Sequence, residues 1–146
     1  MHITLKQTIQ GCSTLEEILA KVREVIKKFK RENGNLPVAY VAGKVTADGQ
    51  DKILSNLQRL SSYTDKLNQI YSFVFLSADI FDKDTYWKLN LAKPLHEEDF
   101  YKFWREILKS GVTDVYFTPD WNKSTGATDE YSTAKKLGLK IHYFRK

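Results

Sequence analysis

Runs of β-forming residues alternate along this chain with segments whose apolar residues recur every three or four positions. No other feature narrows the fold as much. The runs Val38 to Gly43, Tyr71 to Ala78, Asp114 to Thr118 and Lys140 to Phe144 read as strands. Between and before them, Leu15 to Phe29, Lys52 to Leu67, Glu97 to Lys109 and Gly126 to Leu137 read as helices. Leu15, Ile18, Leu19, Val22, Val25, Ile26 and Phe29 keep one helix face apolar. Ser13 with Glu16 reads as a capping box, Asn33-Gly34 as a stop, and Gly138 as the cap of the last helix. Strands separated by helices need crossover connections, which make neighbouring strands parallel. The expected fold is therefore α/β, a three-layer, doubly wound, mostly parallel sheet of the flavodoxin/Rossmann-like kind. The alternation of Ile3 and Leu5 with Thr4 and Lys6 suggests a short strand over His2 to Ile9. Residues 1–35 are thus read as a strand-helix extension and 36–146 as the α/β domain. Asp79 to about Lys93 reads as a polar, aromatic connection.

A chain of 146 residues with 42% hydrophobic content is one domain with an ample core. Cys12 stands alone and His2, His96 and His142 are scattered, so neither an internal disulfide nor a Cys-rich zinc site can form. No cofactor is expected. The first residues lack a leader pattern and no apolar run spans a bilayer, so the expected compartment is cytoplasmic with no membrane partner. A net charge of +5 favours an anionic partner. Lys21, Arg23, Lys27, Lys28, Lys30 and Arg31 read as the solvated side of an amphipathic helix, and no aromatic reader motif accompanies them. Nucleic acid is accordingly the partner least expected.

In doubly wound sheets ligands collect beyond the carboxyl ends of the strands, where strand order reverses. Three segments fall there: the loop from Gly43 to Gly49, the stretch after Ala78, and the loop from Thr118 to Gly126. The first has no G-x-G-x-x-G and no G-K-[ST], so neither a dinucleotide fold nor a P-loop is indicated. The third runs Pro119-Asp120-Trp121-Asn122-Lys123-Ser124-Thr125-Gly126 into a helix, whose unpaired N–H groups favour an anion such as phosphate. Glu130, four residues after Gly126, shares its helix face and is expected to point toward the strand ends. Ser124 and the acidic first turn are equally what any helix start prefers. Trp121, Trp87 and Tyr86 are placed where they could stack on a base or pack at the core rim. Asp79 and Asp82 follow the second strand at the same sheet edge.

Taken in order, these residues resemble the nucleoside 2-deoxyribosyltransferase-like group, most closely its branch of deoxynucleoside 5′-monophosphate N-glycosidases. Tyr40-x-x-Gly43 with Gly49 resembles the family's first strand and glycine loop. Arg105-Glu106-Ile107-Leu108 resembles its Arg-Asp-Leu helix segment. Ser124-x-Gly126-Ala127-x-x-Glu130 resembles its Ser-x-Gly…Glu signature. The resemblance implies a homodimeric enzyme acting on a nucleotide or nucleoside, with Glu130 as nucleophile at the anomeric carbon and Tyr40 bonded to its carboxylate. It implies that Glu106 acts as the acid, and that Gly43, Gly49, Asp120, Trp121, Ser124, Thr125 and Gly126 bind substrate and phosphate. Serine at position 124, rather than an aspartate that would repel a dianion, favours hydrolysis of a monophosphate over base exchange on a free nucleoside. Transfer and nucleotide binding without turnover stay open. Glutamate at 106 departs from the family's aspartate by one methylene, a shift of up to ~1.5 Å.

Overall fold

Val38 to Ala42 forms a strand buried along its whole length, as a central parallel strand covered on both faces must be. A computed structural model describes residues 5–43, 50–81 and 83–145 of the chain. Its strands are β1 (Val38–Ala42), β2 (Phe73–Leu76), β3 (Asp114–Phe117) and β4 (Lys140–Tyr143). All pair in parallel, in the order β2-β1-β3-β4. Strand order reverses between β1 and β3, so their carboxyl ends, Gly43 and Thr118, flank the switch-point crevice.

The helices are α1 (Leu5–Thr8), α2 (Leu15–Asn33), α3 (Ile53–Leu67), α4 (Lys83–Ala92), α5 (Glu97–Lys109) and α6 (Thr125–Leu137). Strand side chains alternate between the two faces. Val38, Tyr40, Phe75, Val115 and Phe117 pack with α2, α5 and α6 on one side. Ala39, Val41 and Leu76 pack with Leu60 and Leu67 of α3 on the other. The result is the expected three-layer α/β sheet. Among the described residues, no helix is long and apolar enough to cross a membrane.

Three local expectations are corrected. Leu5 to Thr8 is a helical turn, and Leu5 and Ile9 are both buried at the spacing of one helix face. The alternation that suggested a strand covered too few residues to outweigh that spacing; His2 to Thr4 lie outside the described residues. The cap of α2 is Thr14, one residue later than expected: its hydroxyl accepts the Glu17 N–H at 3.1 Å. Ser13 instead donates to the Glu17 side chain. Finally, the connection after β2 contains a helix, α4, which keeps Leu89 buried while exposing Trp87 and Leu91.

Candidate functional site

Tyr40 stands at the middle of β1 and Glu130 one turn into α6, and the fold brings them into contact from 90 residues apart. The Tyr40 hydroxyl donates to Glu130 Oε1 at 3.0 Å, with both groups buried. Tyr40 is 2% exposed and Glu130 8%. Trp104 of α5 and Phe75 of β2 lie against the tyrosine ring, with centroids 5.0 and 5.2 Å away, and fix its direction. Oε1 is thus the Glu130 oxygen that the tyrosine holds.

Burial controls the protonation of this pair. Loss of hydration pushes the Glu130 carboxyl up to about 8, against the opposing effect of the Tyr40 hydrogen bond, while the charge of Asp129 raises it further. Desolvation and the adjacent carboxyl likewise hold the Tyr40 phenol well above its ordinary range. Asp129 is clamped by Arg105, whose Nε and Nη2 meet its two oxygens at 3.0 and 2.6 Å. This fork from α5 fixes α6 beside the sheet.

The direction of Glu130 differs from expectation. Its carboxyl turns in toward the middle of β1, not out toward the strand ends, because Gly126, Ala127 and Glu130 lie on the flank of α6 that meets the sheet and α5. Above it, the helix start is built as a cap: Ser124 Oγ accepts the Ala127 N–H at 3.1 Å. Thr125 Oγ1 lies 2.8 Å from the Tyr101 hydroxyl. Gly126 has only ordinary contacts where a Cβ would stand, the nearest being Tyr101 at 3.7 Å. The fold therefore does not require a glycine at this position, unlike at Gly43, where a Cβ would meet Thr118 Oγ1 at 2.2 Å and Leu60 at 2.7 Å.

Glu106 is not brought to the pair. It lies two residues beyond Trp104, about 200° around the helix from the side that faces Tyr40. Its side chain is 42% exposed and pairs with Lys109 at 3.4 Å. Rotation, not the extra methylene, removes it. The acidic group whose charge does reach Tyr40 is Asp79. Asp79 ends the short 3-10 turn after β2 and accepts the Leu76 N–H at 2.9 Å; the residue is exposed, and partial loss of hydration at its carboxyl raises its pKa against that hydrogen bond. Its place after a strand at the ligand-binding edge was the only sign of it in the sequence.

Asp120 adopts a left-handed conformation with φ 66°, a geometry Asp tolerates better than most residues, and sits 3.9 Å from Lys123. Trp121 stacks on Tyr131, centroids 4.7 Å apart, so that ring face is covered. Trp87 is exposed on α4. Gly49, Asp82 and the side chain of Tyr86 lie outside the described residues. A cavity of about 490 Å³ opens elsewhere, between Lys6 to Cys12 and α4, and holds none of these groups.

The sequence pattern of a domain of unknown function, DUF4406, matches residues 37–143. No curated protein and no solved structure matches the chain.

Proposed function

The chain belongs to the DUF4406 family of domains, and for this member we propose hydrolysis of the N-glycosidic bond of a nucleoside 5′-monophosphate, with Glu130 as the nucleophile. The observation that carries the reading is the buried Tyr40–Glu130 hydrogen bond beneath the start of α6. A carboxyl in an apolar site is costly to ionise, and proteins keep such groups where chemistry uses them. Its raised pKa makes the carboxylate a stronger nucleophile, and Tyr40 holds one oxygen so that the other faces the sugar.

In the proposed reaction Oε2 attacks the anomeric carbon as the bond to the base nitrogen breaks. The electron pair of that bond leaves with the base, which takes up a proton. Water then hydrolyses the glycosyl ester, giving sugar 5-phosphate and the free carboxylate. Asp79, with its pKa raised, is the group we assign to proton delivery. The 5′-phosphate would rest on the free N–H groups at the start of α6. The enzyme is proposed to work as a cytoplasmic homodimer without a cofactor.

One observation favours a second reading, nucleotide binding without turnover. Glu130 with a pKa of about 8 is ionised in only about a tenth of molecules at neutral pH. The pH dependence of base release separates the two readings. A nucleophile must be deprotonated, so the rate is expected to climb roughly tenfold per pH unit below 7 and level off near pH 8. A rate that falls over this range would assign Glu130 as the acid, and release of no base at any pH would leave binding alone.

A further inference from the structure

At the switch point, β1 and β3 close around a hydroxyl with no partner among the described residues. The Thr118 N–H donates to Ala42 O at 3.1 Å and its carbonyl accepts from Trp121 N–H at 3.2 Å, so its backbone is satisfied. The side chain is not. Thr118 is 1% exposed and its Oγ1 makes no hydrogen bond among the described residues. Buried hydroxyls nearly always find a partner, and one left unpaired destabilises the protein. Valine would fill the same volume without that penalty.

The surroundings are fitted to this hydroxyl. Gly43 has no side chain where a Cβ would stand 2.2 Å from it, and Leu60 of α3 closes the adjoining side. The backbone bond to Ala42 sets Thr118 at the level where β1 ends, two residues or about 7 Å past Tyr40. Tyr40 and Glu130 lie on the α5/α6 side of the sheet, whereas Thr118 faces Leu60 on the α3 side. A ligand that reached both groups would meet the carboxyl on one side of the sheet and the hydroxyl on the other. Leu60 lies beside this end of the crevice and the hydroxyl carries no charge, which suits a neutral polar group better than a phosphate.

We propose that Thr118 is a substrate-contacting residue, its hydroxyl bonding a neutral polar group of the nucleotide, either a sugar hydroxyl or a polar edge of the base. This rests on the nucleotide reading above, but on a different residue and a different measurement. The test compares wild type with Thr118→Val, Thr118→Ala and Thr118→Ser by thermal shift against nucleoside 5′-monophosphates, ribose 5-phosphate, 2-deoxyribose 5-phosphate and free bases. The ligand-free valine variant is expected to melt at or above the wild-type temperature. Binding of the monophosphate should weaken at least tenfold in the valine and alanine variants and stay within about twofold in the serine variant.

Loss of the sugar-phosphate shift would place the contact on the sugar; loss confined to the monophosphates would place it on the base. Unchanged binding in the valine variant overturns the proposal, as does a wild type stabilised by none of these compounds. If the valine variant does not fold, the alanine and serine pair decides by the same criterion. Base release is scored separately. A wild type that binds through Thr118 and releases no base would sink the hydrolytic reading and leave this one standing.

Discussion

Glu130→Gln is expected to melt about 10 °C above the wild-type protein at pH 8 while releasing no base. The folded chain holds the Glu130 carboxyl at about 8, against 4.5 for the unreacted side chain in water. Between those values the folded state binds a proton that the unfolded state has lost, so stability falls as pH rises through that window. Its contribution is fully present below pH 4.5 and gone above pH 8. At ~1.4 kcal/mol per pH unit, with part of it recovered by relaxation of the site, the accumulated loss is roughly 3–5 kcal/mol. A chain of this size gains about 2–4 °C for each kcal/mol. Glutamine keeps an oxygen to accept the Tyr40 hydroxyl and has no proton to lose. The two proteins should therefore converge in stability near pH 4.5 and separate as pH rises. A glutamate kept for architecture would behave in the opposite way, losing stability on substitution at every pH. Differential scanning from pH 4.5 to 8.5 reads this directly.

Gly43→Ala is expected to destabilise the fold by about 2–3 kcal/mol, with the loss traced to one side chain. The added Cβ would collide with Thr118 Oγ1 and press on its Cβ at 3.2 Å, so the buried threonine must shift. Overpacking of a closed site is of this order. The second contact, 2.7 Å to Leu60 Cδ2, is with the end of a side chain that can change rotamer. Combining Gly43→Ala with Thr118→Ala should thus recover at least 1 kcal/mol relative to the sum of the single changes, measured as a double-mutant cycle in urea. Additive losses would show that the tight approach of β1 to β3 is not what requires glycine. Gly43 is in this account a packing glycine at the crevice floor, which differs from the substrate-binding role the family resemblance implies for it.

How far the sequence discloses this molecule depends on the kind of information each residue carries. The helix Leu15 to Phe29 and the strand Val38 to Ala42 were legible because burial imposes a period on one and continuous apolarity on the other. Helix α4 was not, because Trp87 and Leu91 repeat at helical spacing but face solvent, so no single buried stripe marks it. Contact between Tyr40 and Glu130 depends on β1 and α6 packing on the same sheet face, a long-range fact; only the family resemblance hinted at it. Glu106 shows the limit of motif matching. Its neighbours fit the motif in order, but Trp104 and Ile107 turn toward the core and set the helix rotation, which carries Glu106 outward to Lys109. Thr118 gave no signal at all, since a threonine ending a strand is ordinary and its missing partner exists only in three dimensions.

The placement of Asp79 follows from the same physics. Three residues past β2, its carboxyl caps the 3-10 turn through the Leu76 N–H and shares the electrostatic environment of Tyr40. Asp79 and Glu130 stand on different elements and both have raised pKa values, which the proposed reaction uses for a division of labour. Here the buried one would take the sugar and the more open one the departing base.

In the proposed reaction the Glu130 carboxylate breaks the bond between a sugar phosphate and a base. Incubating wild type and Glu130→Gln with a panel of nucleoside 5′-monophosphates, ribo and deoxy, and quantifying free base by chromatography tests it most directly. Wild type is expected to release base from at least one monophosphate, and the folded glutamine variant at least a thousandfold less. Equal release by both proteins, or none by wild type across the panel, would contradict it.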